Sequence, residues 1–229
     1  MWKVIVAPLA AAAFCAVVLL RFGGGGETAA EAVRAIALTE ATGAANRVAA
    51  VVLDVRLYDT LFELFAFAMA VLGVRLFLRT SRVASAETIA ESHVVRRAAQ
   101  VLLPPALLLG IYLAIFGHLS PGGGFSGGAV AATGLLLVTV ALGADALARR
   151  FRDCWLERLE GLVLVVILVL VLLPITWAAP VASNALPPGR PGRLPSGGLI
   201  PIYSLLISLK VFAGAWAVIH YFVRHRGEV

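Results

Sequence analysis

The sequence predicts an all-α integral membrane bundle of about six transmembrane helices. Of its 229 residues, 61% are apolar and 14% are charged, whereas an average soluble domain has about 25% charged residues. The apolar residues form long continuous runs without the period-2 alternation of a membrane barrel. The chain therefore has too little polar surface for a soluble globule, and its loops leave no room for a soluble catalytic domain.

Each apolar run is long enough, or nearly so, to cross about 30 Å of hydrocarbon as a helix. The runs are 4–20, 57–78, 98–117, 129–148, 159–179 and 199–223. The first follows Lys3, which is the charge order of a signal peptide, but no small-residue cleavage site comes after it. This favours a retained first helix.

The basic residues set the predicted orientation and exclude some partners. Twelve Lys and Arg residues lie on one predicted side of the membrane and six on the other. The positive-inside rule therefore predicts that both termini are cytoplasmic. Since the arginines sit in short blocks beside apolar runs, the net charge of +6 indicates contact with anionic lipids rather than nucleic acid. With only Cys15 and Cys154 present, no disulfide framework, metal site or other cofactor is expected.

The polar stretch 80–97 divides the chain. We predict a two-helix membrane hairpin over 1–80, a cytoplasmic connector over 81–97 and a four-helix membrane domain over 98–229. Residues 27–55 have a helix-favouring composition and are expected to form an interfacial helix. The proline-rich loop 180–198 is expected to be extended, lying on neighbouring subunits or in water.

A glycine-rich segment at 117–128 joins the predicted third and fourth helices. Its motif residues are Pro121, Gly122, Gly123, Gly124, Phe125, Gly127 and Gly128. Glycine permits backbone angles closed to other residues and lets another chain approach closely. The segment therefore predicts a tight or partly re-entrant turn buried by protein, the alternative being a flexible loop.

This segment resembles the P-G-G-G-F-x-G-G signature of the B subunit (MnhB- or MrpB-like) of Mrp-type multisubunit sodium/proton antiporters, which related membrane-bound hydrogenases share. The later Ser196-Gly197-Gly198-Leu199-Ile200-Pro201 resembles the entrance to that family's last helix, with Pro201 as part of the motif. The stretch 51–63 is similar to the small E-type hydrogenase subunit, although Val55 and Leu57 replace its usual aromatic residue and glycine. Two neighbouring subunits thus look fused.

The resemblance implies a non-catalytic membrane subunit in a prokaryotic plasma membrane. Its expected partners are other membrane subunits of the same complex, and its expected ions are sodium and protons. One alternative is the membrane arm of a redox-driven complex of the hydrogenase or sulfane-reductase type. Since the sequence has no Cys cluster or haem-ligand spacing, redox centres would then belong to other subunits. A structural scaffold is a further alternative.

Four charged residues cluster at the predicted outer end of the second helix. Asp59 and Glu63 are four residues apart and share one helical face, just after Asp54 and Arg56. Carboxylates that enter a membrane must face water, pair with a cation or change protonation. They are therefore predicted to lie on an ion path, with Asp54 and Arg56 as supporting charges. A helix cap with a salt bridge to Arg56 is the alternative.

Lys210 lies near the middle of the last predicted span, too deep for its ammonium to reach water easily. It is predicted either to relay protons or to pair with an acid of another subunit, because this chain shows no evident acid at that depth. His118, beside the glycine segment, is predicted either to exchange protons or to fix the turn. Asp145 is expected to pair with Arg149, with a role in transport as the alternative.

Overall fold

The computed structural model of the chain describes residues 37, 41–79, 93–142, 153–174 and 184–225. Helices, turns and loops make up these residues, and no strand occurs among them. The elements are α1 (Arg47–Ala50), a π-helical turn (Val51–Val55), α2 (Leu57–Arg79), α3 (His93–Phe116), α4 (Gly124–Leu142), α5 (Asp153–Leu172) and α6 (Ile200–His225). The predicted all-α fold is confirmed.

The long helices coincide with the predicted spans from residue 57 onward. Four of the described helices are long and apolar enough to cross a membrane: Leu57–Leu78, His93–Phe116, Gly124–Leu142 and Ile200–Phe222. α5 is also 20 residues long but begins with several charged residues. The first predicted span, 4–20, lies outside the described residues.

Helix boundaries differ from the prediction at three places. α3 begins at His93, inside the predicted connector, because residues 93–98, which include the polar His93, Arg96 and Arg97, continue the helix with exposed side chains. α4 begins at Gly124 instead of residue 129, because close packing against neighbours holds its first glycines in helix. Residues 42–46 interrupt the expected interfacial helix. Helix resumes at Arg47, where the Asn46 side chain accepts hydrogen bonds from the backbone N–H groups of Val48 and Ala49.

α6 is the central helix, and it packs against α2, α3, α4 and α5. The largest core cluster joins α2, α5 and α6 through side chains that repeat along one face of each helix. Its members on these helices are Leu57, Leu61, Leu64, Val163, Ile167, Val171, Ile200, Tyr203, Ile207 and Val211. The predicted front hairpin and back domain therefore share a core, because α2 of the front part packs directly on α6 of the back part. That the front hairpin and the back domain derive from two separate subunits remains a prediction.

α4 packs closely on two neighbours because its glycines lack side chains. A Cβ atom on Gly127 would lie 2.6 Å from the carbonyl oxygen of Gly110 in α3. On the other side, a Cβ on Gly124 would lie 2.6 Å from the Cβ of Ile207, and one on Gly128 would lie 2.8 Å from the Cβ of Val211. Small residues at such contacts are the usual basis of helix association in membranes, where van der Waals packing replaces the hydrophobic driving force.

Candidate functional site: a buried cluster of three charges

Three charged side chains from three helices meet inside the bundle. Lys210 Nζ on α6 donates a hydrogen bond to Glu160 Oε1 on α5 at 2.8 Å. Arg75 Nη2 on α2 donates to the other carboxylate oxygen, Glu160 Oε2, also at 2.8 Å. The exposed fractions of the side chains are 1% for Lys210, 9% for Glu160 and 19% for Arg75. We call these residues the charge triad.

Helical periodicity places the triad on the buried faces. Lys210 shares one face of α6 with Tyr203, Ile207 and Gly214, all at spacings of three or four residues. The absence of a side chain at Gly214 admits the ring of Phe67 from α2, since a Cβ there would lie 2.6 Å from Phe67 Cε1. Lys210 Nζ in turn lies 5.5 Å from the centroid of the Phe67 ring. The ammonium therefore has an aromatic face as well as a carboxylate beside it.

The triad carries a net charge of +1 when all three groups are ionised. Burial of an isolated ammonium costs several kcal/mol, so the shared carboxylate is what makes both cations tolerable inside the bundle. A proton can pass along the short hydrogen bond from Lys210 to Glu160, which leaves both groups neutral and the single charge on Arg75. The arrangement can thus hold and move a proton without changing the total buried charge.

The expectation that this chain has no acid at the depth of Lys210 is wrong. Glu160 was missed because it stands next to the predicted start of the fifth span, among charges assigned to the cytoplasmic side. Its spacing from Val163 and Ile167 places it on the buried face of α5, and this was the available signal. Arg75 was likewise counted as a cytoplasmic charge, whereas its guanidinium lies within the bundle.

The glycine segment forms an ordered turn at the other end of α3, and Asn46 holds it. The Asn46 side-chain amide donates to the carbonyl oxygens of Gly117 at 2.7 Å and Ser120 at 2.9 Å. The Asn46 backbone N–H donates to the carbonyl of His118 at 3.0 Å. A residue of the front part therefore fixes the turn of the back part. No short-range sequence signal marks this contact, because its partners are more than 70 residues apart.

The motif residues divide between the turn and the start of α4. Pro121 and Gly122 are exposed in the turn, while Gly123 has a φ of +143°, a conformation that favours glycine. Phe125 packs against the main core. Gly124, Gly127 and Gly128 make the close helix contacts described above. Pro201 lies in the first turn of α6, where its missing N–H costs no helical hydrogen bond.

His118 is 1% exposed and lies against the proline-rich loop. Its Nε2 is 3.0 Å from the carbonyl oxygen of Leu194, so the ring donates a hydrogen bond there. Within the loop, the N–H of Gly197 donates a hydrogen bond to the carbonyl oxygen of Pro188 at 2.8 Å. The predicted extended loop is thus fastened to this chain, although most of its residues from 185 to 195 are exposed.

The outer carboxylates lie apart from the triad. Asp59 forms a 2.6 Å salt bridge with Arg56, and both side chains are more than half exposed. Glu63 also lies on the exposed face of α2. Asp54 sits in the π-helical turn, where partial burial raises the pKa of its carboxyl above the usual value. Asp145 and its expected partner Arg149 lie outside the described residues.

The fold and the site together define a multi-pass helical membrane protein with a buried ionisable cluster. Residues 94–217 match the family model described as a domain related to the MnhB subunit of Na+/H+ antiporter. This match spans more than half of the chain, so the chain belongs to that family. The resemblance of the back part to B-type subunits is thereby confirmed. No curated protein matches the sequence significantly.

Two solved structures are similar to the chain. One is the membrane-bound sulfane sulfur reductase, an archaeal respiratory membrane complex, with 27% identity, a TM-score of 0.70 and coverage of 98% of this chain and 99% of that chain. The other is the Mrp complex from Dietzia sp. DQ12-45-1b, with 21% identity, a TM-score of 0.68 and coverage of 99% of this chain. Our chain covers 26% of that Mrp chain, and at this identity the likeness shows the fold alone. Both matched chains are subunits of membrane complexes, and the family and the apolar helices identify a multi-pass protein of the prokaryotic plasma membrane.

Proposed function

We propose that this chain is a membrane subunit of an Mrp-type sodium/proton antiporter complex and that its charge triad carries protons through the membrane part. The observation that carries the proposal is the pair formed by Lys210 and Glu160, two titratable groups joined by one hydrogen bond inside a bundle of this family. Ionisable residues buried in membrane helices mark ion and proton paths. The chain itself catalyses no chemical conversion, and its partners are the other membrane subunits of the complex.

In this proposal the proton moves in two steps. Protonated Lys210 gives its proton to the Glu160 carboxylate, so that a neutral amine and a neutral carboxyl replace the ion pair. Glu160 then releases the proton on the side of Arg75, the most exposed member of the triad, and Lys210 takes up another proton. The guanidinium keeps its own proton at every step, because arginine side chains do not deprotonate in proteins.

We assign the outer group of residues to cation entry. Asp59 and Glu63 present carboxylates on the exposed face of α2, where a neighbouring subunit can complete an aqueous path for sodium ions. Asp54 and Arg56 support this group by charge. His118 fixes the glycine turn beneath the proline-rich loop, which is one of the two roles predicted for it, and the motif glycines hold the subunit together for assembly.

A second candidate function is supported by the sulfane sulfur reductase match. That match covers nearly the whole of both chains at the higher of the two identities, so the same subunit also suits the membrane arm of a redox-driven complex. The fusion of an E-type hairpin to a B-type domain stays a proposal that rests on the sequence resemblance of residues 51–63. Transport that proceeds in vesicles with an imposed ion gradient and no electron donor supports the antiporter. A strict requirement for a reductant supports the redox complex.

The proposed orientation puts both termini in the cytoplasm and the loop 180–198 outside. We expect Arg193→Cys, at an exposed loop position, to react with an impermeant thiol reagent in intact cells. His93→Cys, exposed at the start of α3, should react only after the cells are opened. The background variant lacks Cys15 and Cys154. Labelling of position 93 but not position 193 in intact cells would reverse the orientation.

Glu160→Gln tests the proposed proton path. The change leaves Lys210 and Arg75 as two buried cations without their shared carboxylate, and breaking a buried ion pair in this way costs about 3–5 kcal/mol. We expect less assembled complex and no proton-coupled sodium transport. Complex abundance is measured by immunoblotting, and transport by sodium-dependent collapse of a pH gradient in inverted vesicles.

Two further variants separate assembly from proton transfer. Arg75→Gln combined with Glu160→Gln leaves one buried cation, so the net charge of the site returns to +1. This double variant should assemble better than Glu160→Gln, because one buried cation is left without a carboxylate instead of two, but it should not transport, because no carboxylate accepts the proton. Glu160→Asp keeps the negative charge and should retain part of the complex abundance and part of the transport. Normal transport by Glu160→Gln would remove the triad from the proton path.

A further inference from the structure

We propose that Arg75 is a positioning residue that controls proton release from Lys210 through Glu160, and that it thereby links the front helix α2 to the proton site on α5 and α6. This inference rests on the proposed function, since it concerns how the same site is regulated. It is carried by the division of one carboxylate between two cations, with Lys210 on Oε1 and Arg75 on Oε2.

The two cations compete for the same negative charge. Each is hydrogen-bonded to one oxygen of Glu160, so their charges lie within a few ångströms of each other in a medium that screens poorly. The repulsion is relieved only when one of them loses its proton. Lys210 can lose a proton and Arg75 cannot. Arg75 therefore places a positive charge beside the proton that Lys210 shares with Glu160, and its withdrawal removes that charge.

No other charge faces Lys210 in the described part of the chain. α2 contributes Arg75 and the Phe67 ring, and α5 contributes Glu160. The described helix α4 contains no charged residue, while the basic residues of α3 lie at its exposed start. On α6 the nearest titratable side chains are Tyr203, whose hydroxyl is neutral and lies seven residues away, and His220, ten residues away. The protonation of Lys210 is therefore governed by Glu160 and Arg75.

Arg75 is also the member of the triad best placed to move. It is the most exposed of the three and lies four residues before the end of α2. The other end of this helix carries the outer charges, including the bridge between Arg56 and Asp59. Because Arg75 belongs to α2, a displacement of this helix relative to α5 changes the contact between Arg75 and Glu160.

The test is the pH dependence of transport by the complete complex. Arg75→Gln keeps a polar side chain of similar width but removes the charge, so we expect the pH optimum of sodium/proton exchange to move upward by about one unit or more. Arg75→Lys keeps the charge, although a lysine can release its proton, and it should move the optimum less than Arg75→Gln does. Arg97→Gln, at an exposed position at the start of α3, is the matched control and should leave the profile unchanged. A merely structural arginine would alter abundance or maximal rate without moving the optimum.

Arg75→His gives a second test if Arg75→Gln fails to assemble. Its imidazole is a cation at acidic pH and neutral above about pH 7, so the profile should follow wild type on the acidic side and shift only on the alkaline side. An unchanged optimum in any assembled neutral variant, or failure of both variants to assemble, overturns the inference. In those cases the proposed function still stands if Glu160→Gln abolishes transport, so the two failures are distinguishable.

Discussion

Lys210→Met is expected to assemble normally and to lose transport by about a hundredfold, the usual contribution of a positioned proton-transfer group. Methionine keeps the length and apolar fit of the lysine stem. The triad predicts normal assembly because Glu160 retains Arg75 as its partner, so that a neutral ion pair remains in place of three charges. Removing a charge from the middle of a span also eases insertion, by about 2.5–3.5 kcal/mol.

Lys210→Arg separates proton transfer from charge pairing. A guanidinium can pair with Glu160 but does not release its proton, so this variant should assemble and remain inactive. Transport at the normal rate by either Lys210→Met or Lys210→Arg would exclude proton transfer through this side chain. If the Met variant fails to assemble while the Arg variant transports, Lys210 is a structural charge, and Asp59 and Glu63 become the better candidates for the ion path.

These contrasting outcomes depend on a contact that the sequence did not predict. The spans were predictable, because a bilayer requires long apolar helices whose backbone groups hydrogen-bond within the helix. Hydropathy alone identifies such segments. The burial of Lys210 followed from its depth in such a span. The partner of Lys210 could not be predicted in this way, because pairing depends on how α5 is rotated about its axis against α6, and the average hydropathy of a span does not show that rotation. The spacing of the buried apolar residues that follow Glu160 does show which face of α5 is buried.

Asn46 shows the same limit at the outer end of the bundle. Asn46 caps α1, and asparagine is a common residue at this position. Nothing in its neighbourhood shows that the same side chain also donates to two carbonyl groups of the glycine turn. Contacts of this kind depend on the packing of whole helices, so a single sequence identifies the residues but not the pairs. The glycine motif was recognisable because it repeats a family pattern, whereas its physical role needed the neighbouring helices.

Gly127→Val is expected to produce the largest loss of assembled protein. In α4 a Cβ at this position would lie 2.6 Å from the Gly110 carbonyl oxygen and 3.0 Å from the Ala114 backbone nitrogen. Both are backbone atoms, which cannot rotate away, so α3 and α4 must separate. Such overpacking costs about 3 kcal/mol or more, and the contact is reciprocal because a Cβ on Gly110 would meet the Gly127 carbonyl at the same 2.6 Å.

Two other glycines provide graded controls for this prediction. Gly123→Val meets no atom within 4 Å but must adopt a φ of +143°, a strain of about 1–3 kcal/mol, so its loss should be smaller. Gly73→Val, on the exposed face of α2, also meets no atom within 4 Å and should change stability by about 0.5 kcal/mol or less. The measurement is the amount of each variant in the purified complex relative to its amount in the membrane. Equal recovery of the variants at 127 and 73 would mean that α3 and α4 do not need this close approach, and the glycine motif would then act only through the turn held by Asn46.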